Sequence, residues 1–296
     1  MNPSSKTQIL ITGPTGNIGR EVVRYLQEGY PELASIAAVR DLESSKELLN
    51  RYPQVQLRKF DFEDINSFSH AFNGIDILFL LRPPHISDVK KVFVPLLDSA
   101  CDSGIRRIVF LSVQGVEKRS IIPHHKIEAY IRKRGFDFIF VRPSYFMQNL
   151  TKTLAKEIQN EDRVSLPSGN ALFNWVDAAN VGEAAAALIH DFEVHRNKAF
   201  DITGNENLSF PVVLERMSKI LGRNIDFNAL DPIRFFWKKK QEGVETGLVL
   251  VMTMLHFLPR LQAPPMISSN YEMLSGKQPT TIESFITTNQ TAFIKA

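Results

Sequence analysis

A single cysteine among 296 residues, Cys101, excludes an intramolecular disulfide and any cysteine-rich metal site, and it fits a reducing compartment. Cys101 lies in the apolar pattern of a predicted helix, so burial is expected of it rather than reactivity. Long hydrophobic runs are also missing. The most apolar late stretch, residues 247–258, is too short to span a bilayer and contains His256, with Pro259 just beyond; it reads as a core or pocket-lining helix. The N-terminus shows no basic region followed by an apolar core and a small-residue cleavage site. Together these absences set the expectation of a cytoplasmic protein with no membrane partner. Charge of one sign is scarce as well. The formal net charge is +3 and the basic residues are dispersed, which argues against direct nucleic-acid binding. The lone basic triplet, Lys238-Lys239-Lys240, reads as a solvated face.

What the chain has in quantity is apolar material, 44% of its residues, enough for a sizeable core in one large domain or in a large and a small one. Its most informative stretch comes first. The apolar run Gln8-Ile9-Leu10-Ile11-Thr12 stops at Gly13-Pro14-Thr15-Gly16-Asn17-Ile18-Gly19 and passes into Arg20-Glu21-Val22-Val23. This reads as strand, glycine turn, helix. Gly13 and Gly16 let the backbone turn tightly and approach a pyrophosphate, Gly19 lets the helix pack close, and the helix N-terminus offers free N–H groups and a positive dipole end. A tight turn that binds nothing is the competing reading of the same spacing.

The pattern then repeats strand and helix. Strands are expected at 35–39, 55–60, 76–81, 108–112 and 138–141, with helices near 42–51, 65–72, 88–103 and 123–134, the last opened by Pro123 and stopped by Gly135. Such alternation, with near-continuous apolar strands, predicts an α/β fold: a Rossmann doubly wound parallel sheet with right-handed crossovers. Beyond Arg142-Pro143 the alternation weakens. Helices at 150–158, 181–189 and 210–221, a turn at 167–170, and strands at 199–203 and 224–227 lead into a helical C-terminal third. We therefore expect an NAD(P)-binding domain over 1–150, its sheet completed by later segments such as 172–204, and a smaller, mainly helical, substrate-covering lobe over 151–296.

In an open parallel sheet the ligand lies outside the carboxyl ends of the strands. That rule collects Gly13, Thr15, Gly16, Asn17, Ile18 and Gly19, then Arg40, Asp61, Phe62, Leu81, Arg82, Ser112, Val113, Pro143 and Tyr145 as the candidate cofactor-binding set. Arg40 stands where a carboxylate would bond the ribose hydroxyls of NAD, and an arginine there pairs instead with the 2′-phosphate of NADP. Asp41 immediately follows and is placed for the NAD-type role, so NADP is preferred and NAD stays open. Asp61 and Phe62 either flank the adenine or serve as helix cap and core. His124, His125 and Glu128 invite a metal reading because His124 and Glu128 are one turn apart, but a third convergent ligand is missing and no metal is expected. Either histidine is instead a candidate hydrogen-bond donor or proton-transfer group, or a starter of its helix.

With these residues in view, the chain resembles the NmrA-like group of atypical short-chain dehydrogenase/reductases over nearly its full length. The likeness rests on the glycine stretch 13–19, Val39-Arg40, Leu111-Ser112-Val113, Pro123-His124-His125-Lys126-Ile127-Glu128, the run from Val141 to Asn149, Phe173-Asn174-Trp175-Val176-Asp177, and Leu274 to Thr281. The group includes NADPH-dependent quinone oxidoreductases, triphenylmethane dye reductases and isoflavone-type reductases, together with nitrogen-repression and redox-sensing proteins. The resemblance therefore implies NADPH and a small-molecule acceptor such as a quinone, or else a nucleotide sensor, and it leaves room for a homodimer or a regulatory protein partner. Ordinary short-chain dehydrogenases carry Tyr-x-x-x-Lys here. Counting back from Glu128, the lysine position falls on His124 and the tyrosine position on Ser120, so neither catalytic residue is present. Tyr145, Phe146, Met147 and Phe235-Phe236-Trp237 become candidates to line an acceptor pocket or to fill the core. Asn149 either holds substrate or caps the following helix, and the cap is the preferred reading.

Overall fold

The computed structural model describes residues 6–294 and divides into two compact units. The first runs through Pro143 and takes back Ala178–Ile202 and Asn270–Lys277; the second comprises Ser144–Asp177, Thr203–Ser269 and the chain from Gln278.

In the first unit, strands β1 (Gln8–Thr12), β2 (Ala34–Val39), β3 (Gln56–Lys59), β4 (Ile77–Leu81), β5 (Arg107–Leu111) and β6 (Asp137–Pro143) join the strand Lys198–Ile202 in one sheet. From one edge the order is Lys198–Ile202, β6, β5, β4, β1, β2, β3, and every pairing is parallel. This is the doubly wound arrangement, with its change of winding direction beside β1. The inner strands are buried on both faces, which is why β1, β4 and β5 read as unbroken apolar runs.

Helix α1 (Asn17–Gly29) buries Gly19, Val22, Val23 and Leu26, one stripe at the 3.6-residue period, and packs on the alanine-rich helix Ala178–His190. The approach is close. A Cβ at Gly182 would lie 2.4 Å from the Cβ of Glu21. Helices α2 (Leu42–Leu48) and α3 (Asn66–Phe72) follow, both shorter than their sequence patterns suggest. The continuous helix expected over 88–103 is instead a widened π-helical turn, Val89–Phe93, running into α4 (Val94–Asp102). Pro95 explains the difference: it has no N–H to give a carbonyl one turn back, so the regular ladder cannot pass through it. Helix α5 (Pro123–Arg134) starts at the expected proline and ends at Gly135, whose φ of 83° needs a glycine. Cys101 is half-buried rather than buried, its Sγ 3.4 Å from the Arg106 guanidinium.

The second unit holds a small sheet in the order Asn207–Leu208, Phe173–Val176, Tyr145–Phe146, and a parallel pair, Arg163–Leu166 with Asp226–Ala229. Its core gathers Trp175, Phe210, Phe235, Phe285 and Phe293. The expected helix at 150–158 is broken into Gln148–Thr151 and Ala155–Glu161. Three further expectations are corrected here. The lysine triplet is not a solvated face: helix Pro232–Gln241 turns Lys239 inward, where its buried ammonium is 2.9 Å from the Glu157 carboxylate, and Lys238 joins at 3.1 Å. Helix Thr246–Phe257 buries only Val249, Met252 and His256 and leaves Leu248, Leu250, Val251, Met254 and Leu255 exposed, so it is not a core helix. Asn149 is not a cap but the second residue of its helix, and its side chain meets the Tyr145 hydroxyl. Among the described residues no helix is long and apolar enough to cross a membrane.

Candidate functional site

Within the first unit, the carboxyl end of β1 is pinned before the chain turns. Buried Thr12 donates its hydroxyl to the Phe79 carbonyl at 3.2 Å and accepts the Leu81 N–H at 2.8 Å, locking the ends of β1 and β4 together. The glycine turn begins there. Gly13 has φ 61°, and a Cβ on it would press to 3.2 Å of the Leu81 side chain. The Gly16 N–H closes the turn on the Gly13 carbonyl at 3.1 Å, and a Cβ at Gly19 would lie only 2.1 Å from that carbonyl oxygen. Gly16 caps α1 with no side-chain oxygen, so the N–H groups of the first turn, from Asn17 and Ile18 onward, are left to a ligand. Three glycines and an uncapped helix make a cradle with the shape and partial charge that a pyrophosphate requires.

A cavity of about 270 Å³ adjoins this turn, lined by Gly13, Pro14, Thr15, Arg40, Asp41, Asp61, Phe62 and His85 among others. It brings together residues from four strand ends. Arg40 is exposed and makes no hydrogen bond or ion pair among the described residues. Asp41 is differently placed: its carboxylate accepts the Ser44 N–H at 3.0 Å as the cap of α2, and that bond holds its carboxyl below the usual range. The anion that would serve NAD is thus engaged in a helix cap, whereas the cation that would serve NADP is not. Asp61 shapes the turn after β3, accepting the Glu63 N–H at 3.0 Å, and Phe62 stands edge-on to Phe60 with ring centroids 4.9 Å apart. Each lines the cavity and also supports the local fold.

The second cluster surrounds the start of α5. Buried Glu128 takes a 2.6 Å hydrogen bond from the Ser112 hydroxyl and two from Arg142, Nε at 3.0 Å and a terminal nitrogen at 2.7 Å. A bidentate pair of this kind engages the carboxylate, to which Arg132 adds a longer contact at 3.4 Å. Ser112 is engaged as well, its hydroxyl by Glu128 and its N–H by the Val141 carbonyl at 2.7 Å. Beside it, the carbonyls of Val113 and Pro143 hold the loop through Val116 and Gln114.

The two histidines separate. His125 places Nδ1 3.0 Å from the Val116 carbonyl and anchors the helix start. His124 lies against Phe110, with its Nε2 3.5 Å from Nε of Arg82. The Arg82 side chain turns back on its own loop, with one terminal nitrogen donating to the carbonyls of Pro83, Pro84 and Ile86 at 2.9, 3.2 and 2.6 Å. Burial, reinforced by the Arg82 charge, brings the His124 pKa down to about 3.

In the second unit, Tyr145 is only half-buried, but its hydroxyl is 2.9 Å from Nε2 of His256, whose Nδ1 is 2.7 Å from the Met252 carbonyl. A carbonyl only accepts, so Nδ1 carries the ring proton and Tyr145 donates to Nε2. Burial lowers the His256 pKa to about 4 and raises that of the Tyr145 phenol. Nothing in the sequence joined residues 111 positions apart; the only signal was a histidine in an otherwise apolar helix. Met147 and Phe235 are in the core of this unit and Trp237 faces solvent, so of the proposed pocket-lining set only Tyr145, Phe146 and Phe236 are part-exposed.

These histidines make stability sensitive to acid. Their folded pKa values lie below the 6.5 of an unperturbed imidazole, so between those limits the unfolded chain binds more protons than the folded one. The stability they contribute is complete above about pH 6.5 and is lost as pH falls through that value towards 4 and 3. For His256 the loss between pH 7.5 and pH 5 is on the order of 2 kcal/mol. Urea denaturation across that range is expected to show the slope, and His256→Gln to reduce it, leaving the part that His124 contributes; an unchanged slope in the variant would remove His256 from this role.

The model of the NmrA-like family matches residues 5–286. Prestalk A differentiation protein A of Dictyostelium discoideum is 25% identical over 282 residues, 95% of this chain and 92% of that protein. The NAD(P)H azoreductase of Xenophilus azovorans is 29% identical over 226 residues, 75% of this chain and 77% of that enzyme. Among solved structures, the NADPH-dependent quinone oxidoreductase of Escherichia coli complexed with NADPH superposes with a TM-score of 0.82 at 19% identity, covering 95% of this chain and 99% of that one. The glycine cradle, the parallel sheet that carries it and a family match spanning nearly all of the sequence lead to one assignment: this chain belongs to the NmrA-like family.

Proposed function

We propose that the protein is an NADPH-dependent reductase of flat, electron-poor acceptors of the quinone class. The observation that carries this reading is that the phenol–ammonium pair of ordinary short-chain dehydrogenases is missing. Ser120 stands at the tyrosine position, where they hold the acid, and His124, neutral and half-buried, stands at the lysine position one turn on. An ordinary ketone needs a proton as hydride arrives. A quinone needs far less help, because the charge it gains is delocalised over its ring and oxygens. The azoreductase and quinone oxidoreductase among the similar proteins support the same class of acceptor.

Arg40 supports the cofactor. With Asp41 held by Ser44, the residue left to meet the adenosine end is a cation, which favours a 2′-phosphate. Bound NADPH would supply the hydride. The chain's part is to hold the pyrophosphate on the glycine turn, fix the phosphate through Arg40 and orient the two reactants.

Stopped-flow oxidation of NADPH and, separately, NADH against benzoquinones and naphthoquinones tests the reading, with nucleotide binding followed in parallel. Rapid protein-dependent oxidation with NADPH preferred is expected. In Arg40→Ser, NADPH affinity should fall by about 10–100-fold, the loss of a charge-assisted contact of roughly 1.5–3 kcal/mol, while NADH is almost unaffected. Tight NADPH binding without turnover on any acceptor would sink the reductase reading and leave a nucleotide-sensing protein in its place.

A further inference from the structure

We propose that Arg82 is a positioning residue that fixes the tautomer of His124, so that the imidazole presents Nδ1–H as a neutral hydrogen-bond donor to the acceptor oxygen. The second half of this statement rests on the reductase reading above; the first does not.

The argument starts from what Arg82 can do. A guanidinium has donors only and stays protonated in proteins. Its terminal nitrogen is committed to three carbonyls of its own loop, which fixes the plane and direction of the group and aims Nε at Nε2 of His124, 3.5 Å away. A nitrogen that faces a fixed donor must offer a lone pair. The ring proton of neutral His124 is therefore on Nδ1. The Phe110 ring, tilted 33° to the imidazole at 6.0 Å, packs beside it and offers Nε2 no alternative acceptor. His125, one residue on, has its own Nδ1 against the Val116 carbonyl, so of these two histidines His124 is the one whose Nδ1–H is not held by a carbonyl of its own chain.

A neutral imidazole N–H is a weak acid and a useful donor. Hydride transfer from bound NADPH would break the nicotinamide C4–H bond and form a new bond to hydrogen on the quinone, leaving negative charge on a ring oxygen. Nδ1–H would hydrogen-bond that oxygen without giving up its proton, and the proton that completes the hydroquinone comes from water. The Arg82 cation behind the ring polarises the imidazole in the same sense.

The test has two independent readouts on the full-length chain. Long-range proton–nitrogen NMR of protein labelled in its histidine rings, with and without NADPH, should show His124 as the Nδ1–H tautomer, and Arg82→Leu should move it towards Nε2–H. An Nε2–H tautomer in the unsubstituted protein overturns the proposal. Kinetics then separate the two nitrogens, because an asparagine amide overlays Nδ1 and a glutamine amide overlays Nε2. His124→Asn should keep kcat within about fivefold, while His124→Gln loses roughly 10²-fold in kcat with KM little changed, the usual cost of one donor to a developing oxyanion. Glutamine as good as asparagine would overturn the donor role. If no quinone is turned over at all, the reductase reading and the donor role fail together, while the NMR result still decides whether Arg82 sets the tautomer.

Discussion

Replacing Gly19 by alanine is expected to weaken NADPH binding by two orders of magnitude or more. The added Cβ would sit 2.1 Å from the Gly13 carbonyl oxygen and 2.7 Å from its carbon. Both are backbone atoms, so the contact can be relieved only by moving the glycine turn or the first turn of α1. Overpacking against an unyielding neighbour costs about 1–3 kcal/mol or more, and a displacement of the N–H groups removes their aim at the pyrophosphate. A hundredfold loss of affinity corresponds to about 2.7 kcal/mol. Helix propensity works the other way, since alanine in a helix is favoured over glycine by roughly 0.5–1 kcal/mol, but this offsets only part of the overpacking cost. Fluorescence titration with NADPH measures the effect. Affinity within threefold of the unsubstituted protein would show that this turn is not where the dinucleotide is held.

The largest stability effect is expected at Glu128. Its carboxylate is 2% exposed and receives Ser112, Nε of Arg142 and one arm of that guanidinium, a side chain itself 12% exposed. Glu128→Ala leaves that cation only the half-exposed Glu117 in a place water barely reaches, a change that costs about 3–5 kcal/mol. Glu128→Gln retains hydrogen bonding to Ser112 and should cost less. The double variant Glu128→Ala with Arg142→Met removes both charges, and part of the loss should return. Urea denaturation at neutral pH distinguishes the three. A deficit below about 1 kcal/mol in Glu128→Ala would mean that Arg142 finds Glu117, 3.2 Å from its other arm, an adequate partner.

Local sequence carried a good deal of this protein's architecture. The glycine spacing and its setting between an apolar strand and a helix, the proline that opens α5 and the glycine that closes it, and the apolar strands that alternate with helices all act over a few residues. Steric and hydrogen-bonding rules at that range depend little on what lies elsewhere, so the doubly wound parallel sheet and the helix Phe210–Leu221 were legible in advance, while the order of the strands came from the structure. Departures occurred where a neighbour in sequence outweighed periodicity, as at Pro95, or where a distant charge outweighed local polarity, as when Glu157 drew Lys239 inside.

Site chemistry divides along the same line. The sequence by itself determined which residue types stand at the strand ends, that Arg40 and Asp41 compete for one role, and that the tyrosine and lysine of ordinary short-chain dehydrogenases are missing. Only the tertiary structure determined which of these groups are already engaged. It turned Asp41 into a helix cap, engaged Glu128 with Arg142, separated His124 from His125 by giving one the guanidinium of Arg82 and the other a carbonyl, and joined Tyr145 to His256. The physical reason is common to all four. What a polar side chain can do depends on which of its donors and acceptors are already taken and on how much water surrounds it, and both are set by partners far away in the chain.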